Sequence, residues 1–252
     1  MRLDRDQSLC NPRAGVDLSQ VRINCFTCQT RDRQKWCRLS EEDLAALDRV
    51  KISNVYKRGQ VIFYQGNPCL GVYGIEEGTV ALRKTDSEGN GIIVRIAHAG
   101  QTLGYRAHFS GESYTATAET LSDARIGFID RAGVMELLER SPNLGLGFLR
   151  RLANDLKESE DHRLQTATLP VRARVAHLLL SLKERFATAD DAGHITLDLP
   201  LSRQDLAAII GTRPETIART IKALENDGVA AFDGRRVFIA DLDALLDEIE
   251  AQ

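Results

Sequence analysis

The chain has 252 residues, 43% of them hydrophobic and 27% charged, with a formal net charge of −3. At ~100–200 residues per domain this leaves room for two modest globular domains, and it excludes a disordered, fibrous or wholly basic nucleic-acid coat protein. No apolar run approaches the ~20 residues that span a bilayer, and residues 1–20 lack the apolar core of a signal peptide. A cytoplasmic protein with no membrane partner is expected. Any contact with DNA must then come from a local basic patch.

Residues 1–40 carry eight Arg or Lys against four Asp and show no clear periodicity, so they read as a loop-rich basic arm. Three of the five cysteines fall here, Cys25, Cys28 and Cys37, in a C-x2-C-x8-C pattern; Cys10 and Cys69 are the others. Cytoplasmic chains seldom keep disulfides, so such a cluster points to metal or redox chemistry. Arg31, Arg33, Lys35 and Arg38 lie among the thiols and favour the thiolate, which leaves direct thiol oxidation open. Zinc is a further possibility for three clustered cysteines and a fourth ligand.

Residues 41–132 read as a β-domain. Ser40 before Glu-Glu-Asp starts a short helix, since a hydroxyl cap and acids suit the positive end of the helix dipole. From Ile52 to Ile129 short β-type runs recur, at Val61, Gly71, Gly78, Gly91 and Ala124, separated by glycine turns. That rhythm indicates a double-sheet β-roll or jelly roll. The stretch around Tyr105 and Arg106 is read as strand, with Arg106 leaving its opposite face.

Residues 133–167 read as helices. Val134, Leu137 and Leu138 mark a short one ending near Ser141-Pro142, and a long one follows over roughly 143–166. Leu149, Leu152 and Leu156 form a stripe continued by Ser159 and Arg163. Either an identical helix or the rest of the same chain could bury it.

Residues 168–252 read as a winged helix-turn-helix. A helix over 171–186 precedes a strand at Ile195. Ser202 caps a helix that Gly211 ends, and Arg213-Pro214 opens a second. A hairpin turning at Asp233-Gly234 completes the wing. The acidic stretch from Asp241 to Glu250 is read only as a charged tail. No phosphate-cradling glycine loop, nucleophile elbow or paired acids in a cleft stand out, so an enzyme is not expected.

From Leu201 to Gly228 the sequence resembles the DNA-binding signature of the CRP/FNR superfamily of transcription regulators, and the succession of roll, long helix and winged helix-turn-helix extends that resemblance along almost the whole chain. The resemblance implies an α+β fold: a cyclic-nucleotide-binding-like β-roll, a long dimerisation helix and a C-terminal winged helix-turn-helix. It implies a homodimer on inverted-repeat double-stranded DNA with TTG-type half-sites, acting on RNA polymerase. Glu215 and Arg219, four apart and so on one helix face, correspond to the family's base-reading pair. Arg suits guanine O6 and N7, and Glu suits the cytosine amino group. Ala218 stands where relatives preferring a TTGAT half-site carry Ser, so it keeps only apolar contact with a thymine methyl. Thr212, Arg213, Ser202 and Arg203 are expected at phosphates.

The cyclic-nucleotide branch carries a Glu for the ribose and an Arg for the phosphate after a Gly-x-x-x-Gly. After Gly100 and Gly104 this chain has Tyr105 in the first place and Tyr114 near the second, so cAMP is not expected. The N-terminal thiols instead resemble the oxygen-sensing branch, which implies a [4Fe–4S] cluster on Cys25, Cys28, Cys37 and a fourth ligand. Cys69 is the expected fourth. Cys10, a carboxylate such as Asp32 or an external thiol are alternatives, since no Cys lies at 124–127, where several relatives place theirs. The rival reading is a metal-free sensor with an effector pocket near Tyr105, Arg106 and Tyr114. In the oxygen-sensing relatives an Asp at the position of Ser159 keeps the cluster-free form monomeric, so here the metal-free protein is expected to stay dimeric.

Overall fold

A computed structural model of the chain describes residues 40–189, 194–239 and 241–250. Cys10, Cys25, Cys28 and Cys37 lie outside the described residues. The chain divides into two compact units, with the change falling inside the longest helix between Glu160 and Asp161.

The first unit opens with helix α1 (Glu41–Val50), capped by the Ser40 side chain, which accepts from the Asp43 N–H at 3.1 Å. The expected helix start at Ser40 is therefore real. Eight strands follow: β1 (Ile52–Tyr56), β2 (Val61–Phe63), β3 (Gly71–Glu77), β4 (Thr79–Thr85), β5 (Gly91–His98), β6 (Thr102–Leu103) and, after helix α2 (Tyr105–Ser110), β7 (Thr117–Thr120) and β8 (Ala124–Asp130). They form two antiparallel four-stranded sheets, β1-β8-β3-β6 and β2-β7-β4-β5. Alternation along β8 sends Ala124 and Ile126 into the roll with Phe63, Tyr73, Tyr114 and Ala118. Its opposite face sends Ile129 into a second cluster with Leu44 and Leu47 of α1. Helix α3 (Arg131–Arg140) contributes Val134 and Leu137 to that cluster, and helix α4 (Pro142–Thr168) contributes Leu144 and Phe148.

One expectation fails in the roll. Residues 105–110 are a helix, not a strand: Gly104, at φ +79°, turns the chain and Gly111 ends it at φ +73°. Arg106 therefore points to solvent from a helix.

The second unit holds the end of α4, then α5 (Val171–Phe186), β9 (Ala187–Ala189), β10 (Ile195–Asp198), α6 (Arg203–Ile210), α7 (Pro214–Asn226), the hairpin β11 (Ala231–Asp233) and β12 (Arg236–Ile239), and α8 (Leu242–Glu250). The sheet order is β11-β12-β10-β9. The acidic tail is helix α8, which buries Leu245. Arg172 of α5 holds this helix through a two-point contact with Glu248, both distances 2.5 Å, and reaches Asp227 at 2.6 Å.

Candidate nucleic-acid interface and sensor residues

The helix pair α6–α7 is built by local chemistry. Ser202 and Asp205 cap α6 reciprocally: the Ser202 oxygen accepts from the Asp205 N–H at 3.1 Å, and the carboxylate accepts from the Ser202 N–H at 2.8 Å. The Ser202 hydroxyl also donates to that carboxylate at 2.7 Å. Both its donors are thus engaged in the cap. Gly211 ends α6 at φ +71°, a conformation that suits glycine. Arg174 of α5 donates to the Ile210 carbonyl at 2.7 Å and fixes the same helix end.

Arg213 is the N-cap of α7 and Pro214 its first residue, where a missing N–H costs nothing. Ile217, Ile221 and Leu224 bury one face. Glu215, Ala218, Arg219 and Lys222 stand exposed on the other, with Arg213 and Arg203 also exposed and Thr212 half-buried. Arg219 Nε donates to the Glu215 main-chain oxygen at 3.4 Å, and among the described residues no ion pair joins the two side chains. Both heads are available to a partner. Lys222 on this face, and Arg235 and Arg236 at the wing tip, are exposed cations absent from the expected set. Their signal lay in the sequence: Lys222 is one turn beyond Arg219, and the Arg pair adjoins the Asp-Gly turn.

Three observations bear on the sensor. Among the described residues no group of three or more His, Cys, Asp or Glu is placed to hold a metal ion. Cys69, expected as fourth ligand, is only 6% exposed and belongs to the interior aromatic cluster of the roll. Its Sγ faces the main-chain oxygens of Gly71 at 3.5 Å and Gly104 at 4.0 Å. The sulfur is thus enclosed by the roll's own aromatic side chains and main chain. Cys69 as the roll holds it does not fit a cluster ligand.

Among the described residues, the two tyrosines of the rival reading are engaged in the protein's own packing. Tyr114 stacks on Phe63 with ring centroids 4.1 Å apart, and Tyr73 lies 5.2 Å from Phe63. The Tyr114 hydroxyl accepts from the Leu70 N–H at 3.1 Å and donates to the Gly71 oxygen at 3.0 Å. Burial, then the neighbouring Tyr73, pushes this phenol above its ordinary range, so it remains a neutral hydrogen-bonding group. Tyr105 is buried too, its ring 5.9 Å from that of Phe148.

Along α4, Leu144, Phe148 and Leu152 turn to the roll. Leu152, expected in the seam, is half-buried against this cluster. Leu149 and Leu156, two turns apart, are 62% and 61% exposed, with Ser159 and Arg163 also exposed. Among the described residues, no part of the first unit buries Leu149 or Leu156.

Residues 173–248 match the Crp-like helix-turn-helix domain, and residues 53–141 match the cyclic nucleotide-binding domain. The chain is 28% identical over 228 residues to the transcriptional activator protein FnrL of Cereibacter sphaeroides, covering 89% of this chain and 91% of that one. It is 29% identical over 193 residues to the nitrogen fixation regulation protein FixK of Azorhizobium caulinodans, covering 76% of each. The solved structure of FixK2 from Bradyrhizobium japonicum superposes with a TM-score of 0.69 at 25% identity, over 79% of this chain and 96% of that one.

Proposed function

Because this chain is a DNA-binding transcription regulator of the CRP/FNR family, we propose that it senses oxygen or another oxidant through the thiols of its N-terminal arm and reports the result through Glu215 and Arg219. The observation that carries this reading is the buried Tyr114 near the place where the resemblance puts the phosphate-binding Arg. Tyr114, stacked on Phe63 and hydrogen-bonded to the main chain, supports a signal that enters elsewhere. The C-x2-C-x8-C arm is the segment with chemistry to receive it.

Cys25, Cys28 and Cys37 offer three soft thiolates, the donor type that iron–sulfur clusters take. Since Cys69 is buried in the core of the roll, Cys10 is the preferred fourth. A bound [4Fe–4S] cluster supplies sensitivity to oxidants. The likeness to FnrL, which runs nearly the length of both chains, supports this branch over a zinc-based regulator.

On the output side, the exposed Leu149 and Leu156 pair two chains along α4. The two recognition helices then address the halves of an inverted repeat. Arg219 reads guanine and Glu215 the paired cytosine of a TTG-type half-site, while Ala218 packs on a thymine methyl. Arg203, Arg213 and Thr212, joined by Lys222, Arg235 and Arg236, supply phosphate contacts that set affinity without reading sequence. The dimer works in the cytoplasm with RNA polymerase as its partner.

The test is an anaerobic mobility shift on inverted-repeat TTG-type DNA, repeated after exposure to air. Specific binding that changes with air and ignores cAMP supports the reading. Identical binding in both atmospheres refutes the redox part. Equal binding to random DNA refutes the operator.

A further inference from the structure

Helix α4 meets the roll through a polar cluster assembled from distant parts of the first unit. One carboxylate oxygen of Asp155 of α4 forms an ion pair with Arg151, 2.7 Å from its Nε. Its other oxygen accepts from the Tyr105 hydroxyl and lies 3.4 Å from Arg95 of β5. The same Arg95 donates to the Tyr105 oxygen at 3.2 Å and to Gln101 Oε1 at 3.2 Å. The Arg95 and Asp155 side chains are only 13% and 11% exposed.

We propose that Arg95, Tyr105, Asp155 and Arg151 form a built-in clasp that fixes the rotation of α4 against the roll, performing with protein side chains the docking that a diffusible effector would otherwise provide. Tyr105 makes the clasp rigid on the roll side. It follows Gly104, where an added Cβ would lie 3.0 Å from the Gly71 oxygen and 3.1 Å from the Tyr114 ring, so the chain there is pinned to the core. The Tyr105 ring packs toward Phe148 while its hydroxyl binds Asp155, two turns further along α4. One side chain therefore grips the helix by an apolar and a polar contact. Burial raises the Tyr105 phenol and the Asp155 contact adds to that, against the opposing pull of Arg95, so the hydroxyl keeps the proton it donates.

The clasp acts on the exposed stripe because both share one rigid helix. Leu149 and Leu156 flank the stretch that carries Arg151, Leu152 and Asp155 toward the roll. Fixing one face of a helix fixes the direction of the other. This inference is independent of what the arm binds.

The experiment compares Asp155→Asn, Tyr105→Phe and the double variant with the parent. Dimerisation is measured by sedimentation and specific DNA binding by titration, with thermal melting and iron content read alongside. Each single change should weaken dimerisation and specific binding at least tenfold while the protein still melts cooperatively with unchanged iron. The double variant should lose less than the product of the two single losses, because both act on one contact. Parent-like dimerisation and DNA binding in both single variants would overturn the clasp, and so would losses that simply multiply. If Asp155→Asn does not fold, Tyr105→Phe, which removes one oxygen atom, decides alone by the same measurements.

Discussion

The hydroxyl of Tyr114 is bound on both sides by the main chain of Gly71, accepting from its N–H at 3.3 Å and donating to its carbonyl at 3.0 Å. This pairing closes the roll where the family resemblance puts the phosphate of a cyclic nucleotide. Gly71 itself cannot carry a side chain, since a Cβ there would lie 2.1 Å from the Ile129 oxygen.

Cyclic AMP should therefore give no heat on calorimetric titration at millimolar concentration. Tyr114→Phe should lower stability by about 1–3 kcal/mol, because it strands buried main-chain groups. Denaturant unfolding checks this, and an unchanged midpoint would show that the hydroxyl holds nothing.

Acid should weaken the roll through His108. This side chain is buried, with no hydrogen-bond partner at Nδ1 among the described residues. Burial, and then the charge of Arg131, holds its pKa below the ordinary histidine value. The unfolded chain then binds a proton that the folded one refuses, so stability falls as pH drops below about 6.5 and is flat above it. Urea midpoints between pH 5 and pH 8 measure the slope, and His108→Gln should reduce it.

Much of the output side was legible in the sequence. The hydroxyl cap at Ser202, the glycine at 211 and Pro214 mark the ends of α6 and α7 by strictly local chemistry, and the structure agrees. Helix α8 was missed because its four acids masked an apolar face that includes Leu245. Helix α2 was missed because six residues carry too little periodicity to outweigh the strands around them. The surroundings of Cys69 depend on which side of the chain faces the core beside β3, a choice that one residue of register reverses. The contact of Arg95 with Asp155 spans 60 positions of sequence and has no local signature.

The base-reading assignment separates two arginines. Arg219→Ala should cost roughly 1–3 kcal/mol on the specific site and flatten the preference at the guanine position. Arg213→Ala should weaken all sequences alike and reduce the salt slope by about one. Titrations of specific and random DNA at several salt concentrations distinguish them, and equal losses for both variants on both DNAs would refute the assignment of Arg219.

The seam is tested by charge. Leu149→Glu or Leu156→Glu places a carboxylate on the exposed stripe and should yield monomers at micromolar concentration. Leu152→Glu should instead unfold the first unit, since that residue packs on the roll. The metal-free parent, lacking an acid at Ser159, should sediment as a dimer. A clean monomer would contradict the seam.

The most direct test of redox sensing is the anaerobic absorption spectrum of the purified protein, read with its iron and acid-labile sulfide. The account predicts a brown protein with broad absorption at the violet end of the visible range. Iron and sulfide should vanish in Cys25→Ala, Cys28→Ala and Cys37→Ala, and persist in Cys69→Ala. A colourless anaerobic protein, holding zinc or no metal and unaffected by these changes, would contradict it.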